Sequence, residues 1–336
     1  MTFKIDGSFI CPEEPPYIVA EIGASHNGSK EVAMKLMLDA FNAGADAVKF
    51  QCYTQDTITI NSHNEDFIVK DGPWAGKRLY ELYAIAHTPW DWFPDIFQAA
   101  KVTRGTVFAS VFDQSSVDFL EKFDCPAYKI ASMEIVDTPL IRYAAGTGKP
   151  ILISTGMASR EEILEAEEAA GYNSMLLHCV SGYPTNVVNM GLVPANEFTG
   201  ISDHSLGADV PIAAVALGYS LIEKHIKCEG DTYGLDSKFA MTPSEFQDMS
   251  RRVRNIWAAM HSSAGRQAAE KSSRQMRRSL YVVKDTKKGE IFTQDNVRSI
   301  RPGYGLPPKA ISNVLGKKAT MNLLAGTALT WEMING

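Results

Sequence analysis

Gly200-Ile201-Ser202-Asp203-His204-Ser205 opens a stretch that runs through an Ala/Val/Leu-rich segment of helical character and closes on Leu221-Ile222-Glu223-Lys224-His225. Each end joins a short apolar run to a histidine, so neighbouring parallel strands would bring both imidazoles to one rim. Such a pair suits a divalent metal that completes its shell with water and substrate oxygens. Mn2+, Fe2+ or Co2+ fit that description, whereas two nitrogens are too few for structural zinc. On these two residues alone, hydrogen-bonded core histidines fit equally well.

Outward from this stretch the same unit recurs. Tyr17 to Ile22, Ala47 to Phe50, Thr106 to Ala109, Ala127 to Ile130, Pro150 to Ile153 and Met175 to His178 are all short and apolar, and with Gly200 to Ser202 and Leu221 to Glu223 they make eight. Helical stretches lie between them. Val32, Leu36 and Ala40 recur at helical spacing before Gly44, a C′ residue; Ser159 with Glu162 forms a capping box; Thr242-Pro243-Ser244-Glu245 adds proline at the first helical position. Eight strands alternating with helices over about 260 residues predict an α/β chain folded as a (β/α)8 TIM barrel. No G-x-G-x-x-G follows the first run, which lowers the dinucleotide-binding alternative.

Three further segments stand outside this pattern. Phe3 to Ile10 reads as a hairpin around Asp6-Gly7. The stretch from Thr57 to Arg78 is too long and too polar for an ordinary connection, and it follows the second strand on the rim where barrel chemistry occurs. Residues 262–278 are polar, basic and poor in apolar groups, which suits a linker between a barrel domain over 1–261 and a small β-rich module over 279–336. At about 58 residues that module is marginal for an independent fold and is expected to dock on something.

Bulk properties narrow the function. Of 336 residues, 45% are hydrophobic and 21% charged, ordinary values for a soluble globular chain with a sizeable core. A net charge of -6 argues against a nucleic-acid surface. No apolar run reaches the roughly 18 residues of a membrane span, and Met1 to Asp6 carries no signal-peptide pattern, so a cytoplasmic home without membrane contact is expected. The five cysteines are widely spaced without a CxxC and read as reduced thiols.

Polar residues at the strand tips of a barrel face one mouth. Here the tips carry Glu21, Lys49, Ser110, Lys129 with Ser132 and Glu134, Ser154 with Thr155, His178 with Ser181, Ser202 with His204, and His225. Two lysines converging with several hydroxyls describe a phosphate cradle. Glu21 and Glu134 are either general acid–base groups or ion-pair partners of the lysines. A metal beside such a cradle points to a phosphorylated substrate condensing with a polarised carbonyl.

Ala20-Glu21-Ile22-Gly23-Ala24-Ser25-His26-Asn27-Gly28, Gly44 to Gln51, Pro126 to Ser132, Leu152-Ile153-Ser154-Thr155-Gly156-Met157, Ser202-Asp203-His204-Ser205 and Glu223-Lys224-His225 together resemble the sialic acid synthase family of nonulosonate synthases. Arg301-Pro302-Gly303 after Asp285 to Glu290 resembles that family's C-terminal antifreeze-protein-like (SAF) domain. Asp56 to Ser62, Leu79 to Tyr83 with Thr88-Pro89-Trp90, and Asp236-Ser237-Lys238-Phe239 resemble the pseudaminic acid synthase branch, with the legionaminic and N-acetylneuraminic acid branches as alternatives. The resemblance implies condensation of phosphoenolpyruvate with an open-chain amino sugar, 2,4-diacetamido-2,4,6-trideoxy-L-altrose for that branch, to a nine-carbon 2-keto acid and phosphate. By the same resemblance His204 and His225 hold the metal, usually Mn2+ with Mg2+ or Co2+ as substitutes. Lys49, Ser110, Lys129, Ser132, Ser154 and Ser202 take phosphoenolpyruvate; Glu21, Glu134, Tyr183 and Asp236 face the sugar or the developing hydroxyls. A domain-swapped homodimer is implied, with Arg301 completing the partner's site. Two departures stand out: Ser110-Val111-Phe112 lacks the family's usual proline, and Ser181 replaces an asparagine common in sialic acid synthases.

Overall fold

The computed structural model describes residues 3–195, 199–262 and 269–335, in two compact units, Met1–His261 and Ser262–Gly336. The first is built on eight parallel strands: β1 (Tyr17–Glu21), β2 (Ala47–Cys52), β3 (Thr106–Val111), β4 (Tyr128–Ile130), β5 (Ile151–Ser154), β6 (Ser174–Cys179), β7 (Gly200–Asp203) and β8 (Leu221–His225). Each pairs with the next, and β8 closes on β1 with His225 opposite Glu21. Buried on both faces, the strands read as near-continuous apolar runs, which is why all eight were visible in the sequence.

The helices begin and end for local reasons. α1 (Lys30–Asn42) starts at Ser29, whose hydroxyl accepts from the Val32 amide, and ends before Gly44, which takes the left-handed conformation at φ 95°. α2 (Leu79–Ala86) and α3 (Phe93–Thr103) both lie in the long β2–β3 link. α4 (Gln114–Glu121) follows β3 and α5 (Thr138–Ala145) follows β4. α6 (Arg160–Ala170) carries the expected capping box of Ser159 and Glu162, worth about 1 kcal/mol. α7 (Asp209–Ala216) follows β7, and α8 (Pro243–His261) follows β8 with Thr242 and Glu245 bonded reciprocally. One expected helix is missing: between β6 and β7 the described residues form only a 3-10 turn, Val187–Asn189. The Pro/Asn/Gly-rich sequence from Pro184 to Pro194 has no helical apolar period.

The N-terminal hairpin pairs Phe3–Ile5 with Ser8–Ile10. The second unit packs Leu280, Val282, Phe292, Val297, Val314, Leu323 and Leu329 into a core of its own, around the strand pair Ser279–Val282 and Val297–Ile300. Of the stretch expected as a linker, 263–268 lie outside the described residues. Residues 269–278 group with the second unit, where the Gln275 carbonyl accepts from the Gly303 amide. No helix among the described residues is long and apolar enough to cross a membrane.

Candidate functional site

Side chains alternate across a strand, so residues two apart share a face. Glu21, Lys49 and Gln51, Ser110, Lys129, Ser154, Cys179, Ser202 and His204, and Glu223 and His225 obey this parity, and all line one cavity of about 490 Å3. Its floor is a charge network. Lys49 Nζ lies 2.8 Å from Glu21 Oε2, donates to Ser110 Oγ at 2.8 Å and stands 3.7 Å from Glu223. Lys129 Nζ donates to Ser154 Oγ at 2.6 Å and lies 3.7 Å from Glu223. Ser202 Oγ donates to Glu223 Oε1 at 2.8 Å, and Gln51 Nε2 donates to Glu21 Oε1 at 2.7 Å.

The two lysines differ in kind. Burial disfavours the charge on Lys49, but the carboxylates of Glu21 and Glu223 outweigh it and hold the ammonium above its ordinary range. Burial also works on Lys129, and there it wins over Glu223, so this pKa is lowered. Lys129 therefore carries an undercompensated charge, ready for an arriving anion. Burial would raise the Glu223 carboxyl, yet Lys129 and Lys49 hold it well below the usual carboxylate range.

Glu134 sits on the 3-10 turn Ser132–Glu134 that follows β4. Its Oε2 is buried without a hydrogen-bond partner, and burial pushes its pKa up to about 7, against the pull of Lys129. Ser132 Oγ accepts from the Gly156 amide at 3.1 Å. A side chain at position 156 would meet Ser181 Oγ at 2.4 Å and Ser132 Oγ at 2.8 Å, so only glycine lets the two hydroxyls close on this turn. Ser181 Oγ is buried with no hydrogen-bond partner; the residue stands beside the cavity lining rather than in it.

His204 and His225 lie with ring centroids 5.4 Å apart. His204 Nδ1 faces the Val180 carbonyl at 3.3 Å, and burial followed by the neighbouring His225 lowers its pKa to about 3. His225 Nδ1 is 3.4 Å from Asp236 Oδ2. His204 Nδ1 thus faces a carbonyl, while His225 Nδ1 lies beside a carboxylate without a hydrogen bond to it; the chain offers two adjacent imidazoles, His204 in the neutral form a metal requires. Among the described residues no group of three or more His, Cys, Asp or Glu forms a metal cluster, so a metal here would draw its other ligands from water and substrate. Tyr183 packs on the His204 ring at 4.5 Å, and Phe239 on His225 at 4.9 Å. Asp236 also accepts from the Ala24 amide at 2.8 Å. Gly23, at φ 49°, leaves room for this: a Cβ there would lie 2.3 Å from Asp236 Oδ2.

The upper wall comes from the long β2–β3 link. Ile58, Val69, Trp74, Leu79, Leu82 and Tyr83 all line the cavity, and Trp74 approaches Tyr183 at 5.6 Å. The stretch from Thr57 to Arg78, read as polar, thus lends Ile58, Val69 and Trp74 to the mouth, and the helix after it adds Leu79, Leu82 and Tyr83.

A model of the NeuB family matches residues 36–265, and a SAF-domain model matches 277–335. The chain belongs to the NeuB family. A pseudaminic acid synthase from Campylobacter jejuni is 42% identical over 326 residues, covering 93% of this chain and 95% of that protein. One from Helicobacter pylori is 38% identical over 336 residues, covering 96% and 98%. The crystal structure of the N-acetylneuraminic acid synthetase from Leptospira borgpetersenii aligns with a TM-score of 0.71 at 27% identity, covering 82% of this chain and 96% of that one.

Of the tip residues expected in this NeuB-family site, Glu21, Lys49, Ser110, Lys129, Ser132, Glu134, Ser154, Ser202, His204 and His225 line the cavity together, as do Tyr183 and Asp236. His178 does not. It has the opposite parity to Leu177 and Cys179, and its Nε2 meets the Met190 carbonyl at 2.6 Å. Arg301 belongs to the second unit, exposed just past the strand Val297–Ile300. Glu223, Gln51, Cys179 and Phe239 went unassigned in the sequence. Strand parity would have found the first: Glu223 lies two residues before His225, on the same face.

Proposed function

We propose that this NeuB-family enzyme is a pseudaminic acid synthase, joining phosphoenolpyruvate to 2,4-diacetamido-2,4,6-trideoxy-L-altrose with release of phosphate. The observation that carries the reading is the division of the cavity, a floor of lysines and hydroxyls beneath an apolar wall from the β2–β3 link. The floor suits a phosphate and a carboxylate. The wall suits a sugar with two acetamido methyl groups and a deoxy methyl in place of hydroxyls. The identity with pseudaminic acid synthases over nearly the whole chain supports the same sugar.

In this reading Lys129 and Lys49, with Ser110, Ser132, Ser154 and Ser202, hold phosphoenolpyruvate so that its C3 faces the sugar aldehyde. Glu21, Tyr183 and Asp236 orient the sugar. Glu134, poised near neutrality, takes the proton from the water that adds at C2 before phosphate leaves. His204 and His225 would hold the metal, Mn2+ with Mg2+ or Co2+ as substitutes, which supplies a Lewis acid for the aldehyde oxygen. Phosphate release with Mn2+ tests the substrate. The altrose sugar should turn over faster than N-acetylmannosamine or the legionaminic precursor; preference for either of the others reassigns the branch.

The SAF match and the exposed Arg301 support a domain-swapped homodimer in which Arg301 of one chain completes the other's site. Equal amounts of an Arg301→Ala chain and a Lys129→Ala chain, refolded together, should then recover activity. With random pairing half the dimers are mixed and each holds one intact site, so about one quarter of wild-type activity is expected. No recovery from isolated heterodimers would remove the swap.

A further inference from the structure

On the outer side of β7 and β8, facing away from the cavity, lies a second charge cluster that the mechanism does not use. Lys224 Nζ donates to Asp203 Oδ2 at 2.5 Å and also to the Ser205 carbonyl. Asp203 accepts from the Ser205 amide through Oδ1 at 2.8 Å and from the Ser205 hydroxyl through Oδ2 at 3.0 Å. Lys224 and Ser205 are fully buried, and Asp203 is 1% exposed. Every polar group of Ser205 is therefore tied to this one ion pair.

The cluster brackets both histidines. Asp203 and Ser205 flank His204, and Lys224 precedes His225. Asp203 and Lys224 are directly opposite in the β7–β8 register. The His204 carbonyl, between Asp203 and Ser205 in the chain, accepts from the Thr185 amide at 3.0 Å, two residues beyond the Tyr183 that packs on its ring. A buried ion pair contributes little net stability compared with well-packed apolar residues of the same volume, because desolvation offsets its attraction. What it does contribute is a single registration of the groups it joins.

We propose that Asp203, Lys224 and Ser205 form a clamp that fixes the spacing of the His204 and His225 rings, and through it the affinity of the site for its metal. These are positioning residues: they touch neither cavity nor substrate, and act through the strand tips. The metal part of the proposal rests on the reading of His204 and His225 given above; the ring spacing does not. The double variant Asp203→Asn/Lys224→Met removes the ion pair while keeping shape and neutrality. Its Mn2+ affinity, measured by electron paramagnetic resonance of the free ion, should fall about 10- to 100-fold, while loss of the donor to the buried Ser205 carbonyl lowers the melting temperature of the metal-free protein by only a few degrees. In its metal-free crystal structure the His204 ring should leave the 5.4 Å spacing from His225. If the double variant does not fold, Ser205→Ala, which deletes one hydroxyl, should weaken Mn2+ at least about threefold and displace the same ring. Unchanged Mn2+ affinity in a folded variant overturns the clamp. If the wild-type protein binds no Mn2+, the metal reading fails, and the ring spacing in the metal-free structures still decides the clamp.

Discussion

Lys129→Met is expected to lower kcat/KM for phosphoenolpyruvate by about 10³-fold and to abolish the thermal stabilisation that this substrate gives. The cation of Lys49 is already committed to Glu21 at 2.8 Å and shares Glu223. Among the described residues, the one carboxylate within ion-pair reach of Lys129 is Glu223, at 3.7 Å. Burial lowers the Lys129 pKa for want of a closer anion, and an arriving phosphate or carboxylate supplies it. At one hundred times its dissociation constant, phosphoenolpyruvate should raise the wild-type melting temperature by about 5 °C. The Met variant keeps Glu223 paired with Lys49 and bonded to Ser202, so it should fold. A folded Met variant that still gains those degrees would show that the anion binds elsewhere.

The barrel was legible because its strands are buried on both faces. Tyr17–Glu21 and Ile151–Ser154 have no exposed residue, and a parallel strand of that kind has nothing to confuse with a surface helix. Legibility failed where a polar residue hides inside such a run. Glu223 and Lys224 read as one charged step in an apolar strand, yet alternation sends them to opposite faces, the first to the cavity floor and the second to the outer clamp. His178 failed in the reverse direction. It sits near a strand end, but it shares its face with Leu176 rather than with Leu177 and Cys179. The β2–β3 link is a different case. Its composition marked it as unusual, but contact between Trp74 and Tyr183 spans more than a hundred residues of sequence, and local pattern carries no information at that range.

The same parity accounts for the neutrality of the floor. Lys49 and Lys129 stand against Glu21 and Glu223, so the free cavity has no large excess of charge to desolvate. Two lining carboxyls stand outside this balance, Asp236, which accepts from the Ala24 amide, and Glu134, whose Oε2 has no hydrogen-bond partner and whose protonation should govern both stability and rate.

Glu134→Gln should therefore separate the two effects. The native carboxyl titrates at about 7 against an ordinary 4.5, because burial disfavours its charge. Below pH 4.5 folded and unfolded chains are both protonated, and the group costs nothing. As pH rises the unfolded chain ionises first, so the folded state loses stability progressively until about pH 7 and no further above it. At about 1.4 kcal/mol per tenfold difference in proton affinity the full penalty is about 3 kcal/mol, an upper bound for a side chain that keeps some exposure. Glutamine carries no such penalty. The variant should exceed the wild type in urea stability at pH 8 by up to that amount, with the difference shrinking towards pH 5. Its turnover should move the other way, falling about 10²- to 10⁴-fold as the proposed base for water addition at C2 is lost. The wild-type kcat/KM should rise with pH through about 7, since the proposed base works as the carboxylate, and this limb should be absent from the residual activity of the variant. A wild-type profile flat between pH 6 and 8, or a Gln variant with wild-type turnover, would hand the base role to another group; a stability difference independent of pH would show that Glu134 is solvated in the folded chain.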